Sequence, residues 1–74
     1  MQETDINYYE IIAANIKILR QKEKLSQEKF AETIGCSREY ISRLENNKEK
    51  ISLALLLQIA KLYNTSPTDF FKNK

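Results

Sequence analysis

Apolar residues recur along the chain at the three- and four-residue spacing of amphipathic helices, with short polar segments between them. In the first of these segments Ile12, Ile16 and Leu19 fall on one side of a helix. Asn7 and Glu10 precede them with the spacing of a capping box, in which the Asn side chain binds a free backbone amide. The pattern predicts a first helix that begins near Asn7.

A second helix of about eight residues is predicted after Ser26, a favourable N-cap, with Phe30, Ala31 and Ile34 on its apolar side. Gly35 follows at once, and glycine readily adopts the left-handed conformation that ends many helices. Because a helix this short is not stable alone, it must pack against its neighbours.

A third helix is predicted after another serine cap, Ser37, with Ile41 and Leu44 on its inward side. Asn46 and Asn47 end this helix, because Asn tolerates a positive φ better than most residues other than Gly.

A fourth helix is predicted after Ser52. Ser66 and Pro67 then open a short fifth helix, and Phe70 and Phe71 are expected to close the core. The residues of the fourth helix expected to reach the core are Leu53, Leu56, Ile59, Ala60 and Tyr63.

The composition agrees with a helical domain. The chain has one Gly and one Pro in 74 residues, fewer than strand-and-turn architectures usually need. Its 42% hydrophobic and 30% charged residues suit a folded globular chain, and its length suffices for one domain. We therefore predict a single compact all-α domain of five helices over residues 1–74.

Charge, cysteine content and the longest apolar run bear on the partners and the cellular compartment of the protein. A net charge of +2 permits a nucleic-acid partner without arguing for one. The single cysteine, Cys36, cannot form an internal disulfide; it is either a redox-sensitive thiol or a small, partly buried side chain. The longest apolar run, Leu53–Leu57, is too short to cross a membrane, and the acidic start of the chain lacks the features of a signal peptide. We expect a cytoplasmic protein with no membrane partner.

Catalysis is disfavoured by the residues available. The chain has no His, no glycine-rich phosphate loop and no cluster with the spacing of metal ligands. We therefore expect no enzyme activity, no cofactor, no metal ion and no small-molecule ligand.

Residues 26–45 carry the most informative pattern: a capped helix, a tight turn at Gly35 and a second capped helix. The small Ala31 lets the two helices approach closely, and Ile41 is expected to pack beneath the turn. Two helices joined in this way cross at roughly 90 to 120° in a helix-turn-helix.

The sequence resembles the helix-turn-helix domain of the phage repressor and Cro family (the XRE family) over residues 12–71. More narrowly, residues 38–41, Glu45 and residues 51–53 look like the small controller proteins of restriction–modification systems. The resemblance implies a lambda-repressor-like fold that binds a double-stranded DNA operator. The matching positions are Arg20, Leu25, Ser26, Gln27, Phe30, Ala31, Gly35, Ile41, Glu45, Ile59, Ala60, Phe70 and Phe71.

The resemblance makes the third helix a recognition helix, whose N-terminal turn enters the major groove. Arg38 is then expected to donate two hydrogen bonds to guanine, Glu39 to accept one from cytosine, and Arg43 to reach bases from the same face. The alternatives are a solvated helix start for Arg38 and Glu39, and either a solvated charge or a surface ion pair with Glu39 for Arg43.

Contacts to the DNA backbone, which fix register without reading sequence, are expected from neighbouring polar residues. For the two lysines among them a solvated charge is the alternative. The resemblance also implies that Arg20 and Glu45 form a partly buried structural salt bridge between the first and third helices. The expected backbone contacts are Gln27, Ser37, Tyr40, Ser42, Lys48 and Lys50.

An excess of apolar residues predicts a homodimer. Leu55 lies where the helical pattern expects a polar residue, and Ile6, Tyr8, Tyr9 and Ile11 exceed what one helix face can bury. Such an excess suggests an interface, with ordinary surface exposure as the alternative. A dimer would place two recognition helices in successive major grooves, about 34 Å apart, on a pseudo-palindromic operator.

The sequence is compatible with two functions of different classes: transcriptional regulation by a DNA-binding homodimer, and binding of a partner protein by an interaction module such as an antitoxin. A disordered tail able to wrap a partner would favour the second, and the chain ends three residues after Phe71. DNA-binding regulation is therefore the leading interpretation.

Overall fold

The computed structural model describes residues 6–73, and every element within them is a helix. The predicted all-α class is confirmed, and the predicted fifth helix is a 3-10 helix rather than an α-helix. The ends of the predicted domain, residues 1–5 and 74, lie outside the described residues. The elements are α1 (Tyr8–Lys22), α2 (Gln27–Ile34), α3 (Arg38–Glu45), α4 (Leu53–Leu62) and the 3-10 helix Pro67–Phe71.

Each α-helix begins at the predicted cap. Asn7 Oδ1 accepts hydrogen bonds from the backbone amides of Tyr9 and Glu10, at 3.1 and 3.3 Å. At the other three starts a serine Oγ accepts from the amide three residues further on, at 3.0, 3.0 and 3.1 Å. These serines are Ser26, Ser37 and Ser52.

The four α-helices also end alike, each with a residue in the left-handed region. The φ angles are 60° at Lys24, 76° at Gly35, 62° at Asn47 and 53° at Asn64. After each of these residues, the next backbone amide donates to the carbonyl five residues before it, at 2.8 to 3.1 Å. This is the Schellman arrangement, which satisfies carbonyls left free at a helix end. The direction in which the chain leaves each helix is therefore set locally.

The core lies where all five elements meet. It is formed by side chains that are at most 6% exposed, and the Phe30 ring stacks on the partly buried Tyr63 with ring centroids 5.8 Å apart. Burial of this apolar surface is the main force that holds the short helices together. The core residues are Ile12, Ile16, Phe30, Ala31, Ile34, Ile41, Leu44, Ile51, Leu56, Ile59, Ala60 and Phe70.

Two residues expected in the core lie outside it. Leu53 is 67% exposed, because it heads α4 one turn before the buried Leu56 and extends beyond the edge of the core. Phe71 is 40% exposed, because Phe70 takes the inward position of the 3-10 helix. The Phe71 ring instead meets the edge of the Tyr8 ring, with centroids 6.1 Å apart.

A buried asparagine attaches the 3-10 helix to α1. Asn15 is 5% exposed, and its Nδ2 donates to the carbonyls of Phe70 and Lys72, each at 2.8 Å. Asn15 lies three residues after Ile12, on the inward face of α1. Its amide therefore supplies donors to carbonyls at the C-terminal end of the 3-10 helix, the end at which helical carbonyls lack intrahelical partners.

Candidate nucleic-acid interface

The interface is built on the packing of α3 against α2. Ala31 and Ile41 are 2% and 0% exposed, so the two helices approach through a small side chain and a fully enclosed one. Gly35 turns the chain between them, and the amide of Cys36 closes the end of α2 onto the carbonyl of Ala31 at 2.9 Å. Because Ile41 and Leu44 face inward, the opposite side of α3 is presented to solvent.

The three residues predicted to contact bases all lie on this exposed side. Their side chains are 53% exposed at Arg38, 67% at Glu39 and 51% at Arg43. Arg38 Nη2 lies 3.5 Å from Glu39 Oε2, a contact between adjacent exposed residues that contributes little to stability. The structure thus brings two arginines and a carboxylate together on the face of α3 that is open to a partner.

Arg43 forms an ion pair, but not with Glu39 as the alternative interpretation expected. Its Nε lies 3.2 Å from Oε1 of Glu49, which follows the turn after α3. The guanidinium carbon also lies 6.0 Å from the centroid of the Tyr40 ring, within reach of a cation–π interaction. Glu49 was not among the predicted site residues; the available signal was an acidic residue between Lys48 and Lys50.

Tyr40 is partly buried and packs against the core. Burial raises the pKa of its phenol, and the nearby carboxylate of Glu49 raises that pKa further. The phenol is therefore protonated at neutral pH and can donate a hydrogen bond to a phosphate oxygen.

The other residues predicted to contact the DNA backbone differ in exposure and in their contacts within the protein. Ser37 is exposed and caps α3, while Ser42 is partly buried and its carbonyl accepts from Asn46 Nδ2 at 2.9 Å. Lys48 is exposed. Lys50 contacts α1, with its Nζ 5.4 Å from the centroid of the Tyr9 ring.

The geometry of Arg20 and Glu45 is that of a bidentate salt bridge. Arg20 Nε lies 2.7 Å from Glu45 Oε2, and Nη2 lies 3.1 Å from Oε1. The third arginine nitrogen, Nη1, donates to the carbonyl of Leu25 at 2.8 Å. The side chains are 12% and 2% exposed, so the pair is almost removed from water. It joins α1 to the last residue of α3.

Gln27, predicted as a phosphate contact, also belongs to this network. Its Nε2 donates to Glu45 Oε1 at 3.1 Å, so one of its side-chain donors is used inside the protein. Glu45 therefore receives donors from α1 and from the first residue of α2, and the orientation of α3 is tied to both helices. The second hydrogen of the Gln27 side-chain amide and the backbone amide at the start of α2 remain the donors suited to a phosphate.

Cys36 is partly buried against the core, and burial raises the pKa of its thiol. A raised pKa lowers the thiolate fraction at neutral pH, which disfavours the redox-sensitive interpretation.

Away from α3, an apolar groove of about 340 Å³ lies between the starts of α1 and α4. Its rim includes Tyr8, Tyr9, Leu53 and Phe71, which are 40 to 67% exposed. Leu55, the residue predicted at a dimer interface, is only partly exposed and packs against the core. The exposed leucines of α4 are instead Leu53, Leu57 and Leu62, at 67%, 46% and 49%.

Residues 6–73 contain neither a helix suited to span a membrane nor a group of side chains suited to hold a metal ion. None of the helices there is both long and apolar enough to cross a membrane. No group of three or more His, Cys, Asp or Glu side chains in that part of the chain is placed to hold a metal ion.

The fold and this surface define a helix-turn-helix domain, with α3 as the exposed second helix of the motif. The chain belongs to the helix-turn-helix family HTH_3, which it matches over residues 16–70, a family of DNA-binding transcription regulators. The predicted XRE-type domain and its regulatory, DNA-binding function are thereby confirmed.

Two relatives and one solved structure show which kinds of helix-turn-helix protein this chain is similar to. The control protein C.SmaI of Serratia marcescens is 38% identical over 69 residues, covering 89% of this chain and 82% of that protein. The antitoxin PezA of Streptococcus pneumoniae is 39% identical over 59 residues, which cover 80% of this chain and only 37% of PezA. The solved structure of the restriction-modification controller protein C.AhdI from Aeromonas hydrophila is also similar, with a TM-score of 0.75 and 27% identity over 85% of this chain and 96% of that one.

Proposed function

We propose that this protein is a homodimeric controller of restriction–modification genes that acts in the cytoplasm by binding a pseudo-palindromic operator. The observation that carries the proposal is the outward face of α3, where Arg38, Glu39 and Arg43 are exposed together on a helix held by a buried ion pair. The gene class is supported by the likeness to C.SmaI, which extends over most of both chains.

Each residue on this face has a defined chemical role. Arg38 and Arg43 present planar guanidinium groups, which suit bidentate bonds to guanine O6 and N7, and Glu39 can accept from cytosine N4. Phosphates would be held by Tyr40, Lys48 and residues at the helix starts, as the polar groups beside the major groove. Lys50 is a weaker candidate for a phosphate contact than Lys48, because its ammonium group already contacts the Tyr9 ring.

The test of base reading is a paired titration with Arg38→Ala. The operator probe is a duplex selected by the wild-type protein from a randomised pool, and the second probe is the same duplex scrambled, at the same salt concentration. Losing a bidentate contact should cost about 1 to 3 kcal/mol per half-site on the operator and much less on the scrambled duplex. Lys48→Ala is the matched control, because loss of a phosphate contact should weaken both duplexes about equally. Equal losses for Arg38→Ala would move base reading to other residues of α3.

Dimerisation is supported by the exposed apolar rim that includes Leu53. Leu53→Glu should convert the protein to a monomer, as measured by light scattering, and weaken operator binding while the helical circular-dichroism signal stays unchanged. Leu62→Glu is the matched control, since Leu62 is 49% exposed at the opposite end of the same helix. An unchanged mass for Leu53→Glu would exclude this rim as the dimer interface.

The proposed gene class is tested on the DNA around the coding region. An inverted repeat upstream, with half-sites about one helical turn apart, should compete for binding with the selected operator. The neighbouring genes should encode a DNA methylase and a nuclease; their absence would leave a DNA-binding regulator of other genes.

A further inference from the structure

Glu49 places a negative charge beside the surface proposed to approach DNA. Its side chain is 35% exposed and its Oε1 lies 3.2 Å from Arg43 Nε, so the two charges meet at the surface rather than in the core. A carboxylate near DNA phosphates opposes binding through like-charge repulsion. Glu49 is therefore expected to lower general affinity for DNA.

The contact uses one edge of the guanidinium group. Within residues 6–73, the hydrogen bond of the Arg43 side chain is made by Nε, and no described acceptor takes a hydrogen bond from its two Nη groups. A guanidinium group presents five N–H donors in a rigid plane. With Nε occupied by Glu49, the two Nη groups remain available as a pair for the O6 and N7 acceptors of guanine.

Both groups that contact Arg43 are themselves held in place. Tyr40, whose ring centroid lies 6.0 Å from the guanidinium carbon, packs against the core. Glu49 lies in a loop fixed on both sides: the amide of Lys48 donates to the carbonyl of Arg43 at 2.8 Å, and Ile51 is buried at 6% exposure. The arginine is therefore bounded by an aromatic face and a carboxylate that do not depend on bound DNA.

We infer that Glu49 is a positioning residue that sets operator specificity: it holds Arg43 Nε so that both Nη groups face a base, while its charge weakens binding to other duplexes. The inference rests on the proposed base contact of Arg43. A side chain that is already ordered loses less conformational entropy when it binds, which favours the operator. Binding to unrelated duplex is almost wholly electrostatic, so there only the unfavourable charge is felt.

The test is the ratio of affinities for the selected operator and the scrambled duplex, measured for Glu49→Gln at fixed salt. We expect tighter binding to the scrambled duplex and a smaller gain, or a loss, on the operator. The ratio should fall about 1.4- to five-fold, the range that exposed ion-pair energies give. Glu32→Gln is the matched control: it removes the same charge from the exposed pair between Glu32 and Lys29, and should leave the ratio unchanged.

A double-mutant cycle with Arg43→Ala separates positioning from net charge. If Glu49 acts through Arg43, Glu49→Gln should no longer change the affinity ratio once Arg43 is alanine. An unchanged effect of Glu49→Gln in that background would overturn the inference, because the carboxylate would then act only as a charge. Equal losses on both duplexes for Arg43→Ala alone would remove Arg43 from base reading, and the inference with it.

The ion pair is also measurable without DNA, which keeps failure of the inference distinct from failure of the proposed function. In the free protein the Arg43 Nε–H proton should exchange more slowly with water than that of Arg38, whose contact with Glu39 is made by Nη2. Glu49→Gln should abolish the difference, as followed in nitrogen-15 spectra. Equal exchange at both arginines in the wild-type protein would overturn the inference and leave the proposed DNA-binding function intact.

Discussion

Replacing Arg20 with Met removes the partner of a carboxylate that is almost completely buried. The Glu45 side chain is 2% exposed, and of its hydrogen bonds within residues 6–73 this variant would keep only the one from Gln27 Nε2. The reverse change, Glu45→Met, leaves the Arg20 side chain, which is 12% exposed, with the carbonyl of Leu25 as its one hydrogen-bond partner among the described residues. We expect both variants to unfold more easily, and Arg20→Met more so, because the charge that it isolates is the more deeply buried.

Breaking one partner of a buried pair costs about 3 to 5 kcal/mol, and the slight exposure of Arg20 favours the lower figure. A domain of this length is held by only about 4 to 11 kcal/mol in total. Each single variant should therefore lower the Tm by roughly 12 to 24 °C. The double variant Arg20→Met with Glu45→Met removes both charges together, and apolar side chains can replace the pair. It should cost only about 1 to 2 kcal/mol, because the Leu25 carbonyl and Gln27 Nε2 lose their partners.

The wild-type protein, the two single variants and the double variant form a double-mutant cycle, which urea denaturation can measure. All four should be measured at one protein concentration, because the stability of an associating chain depends on concentration. A matched cycle on Lys29 and Glu32, an ion pair whose side chains are 63% and 62% exposed, should give a coupling of about 0.5 kcal/mol or less. If losses at Arg20 and Glu45 add within about 0.5 kcal/mol, the two residues do not stabilise each other and the reasoning fails.

Three further changes test the local structure through thermal unfolding. Lys24→Gly should raise stability by about 1 kcal/mol, because Lys24 has a φ of 60° that glycine adopts without strain; an unchanged Tm would show that the strain is absent. Gly35→Ala should cost about 1 kcal/mol, since an added Cβ meets no atom within 4 Å and only the φ of 76° opposes it; a loss of several kcal/mol would contradict this. Asn15→Leu should cost about 2 kcal/mol and speed amide exchange in the 3-10 helix, as the carbonyls of Phe70 and Lys72 lose a buried donor; unchanged exchange would argue against that role.

Much of the fold follows from local chemistry and was predictable. A serine Oγ reaches an amide three residues away, and a glycine adopts a positive φ, whatever the rest of the chain does. The periodic pattern identified the inward face of α4, but it could not show where the core stops, which is why Leu53 was misplaced.

Contacts between distant residues were beyond the sequence pattern. Asn15 binds carbonyls 55 and 57 residues away, so its role depends on the packing of the whole chain. The pair of Arg43 and Glu49 spans six residues across a non-helical turn, a separation for which helical spacing gives no expectation. The residue types on the exposed face of α3 were predictable, whereas their partners in the free protein required the structure.

The eight residues of α3 divide between two tasks with little overlap. The side chains of Ile41, Leu44 and Glu45 are buried in the protein interior, whereas those of Arg38 and Arg43 are 53% and 51% exposed. Substitutions at the outward positions should therefore carry a small stability cost. If these positions make the proposed base contacts, operator preference can change by one residue at a time without loss of the folded state. Paralogous regulators in one cell could thus diverge in their target sites while keeping the same scaffold.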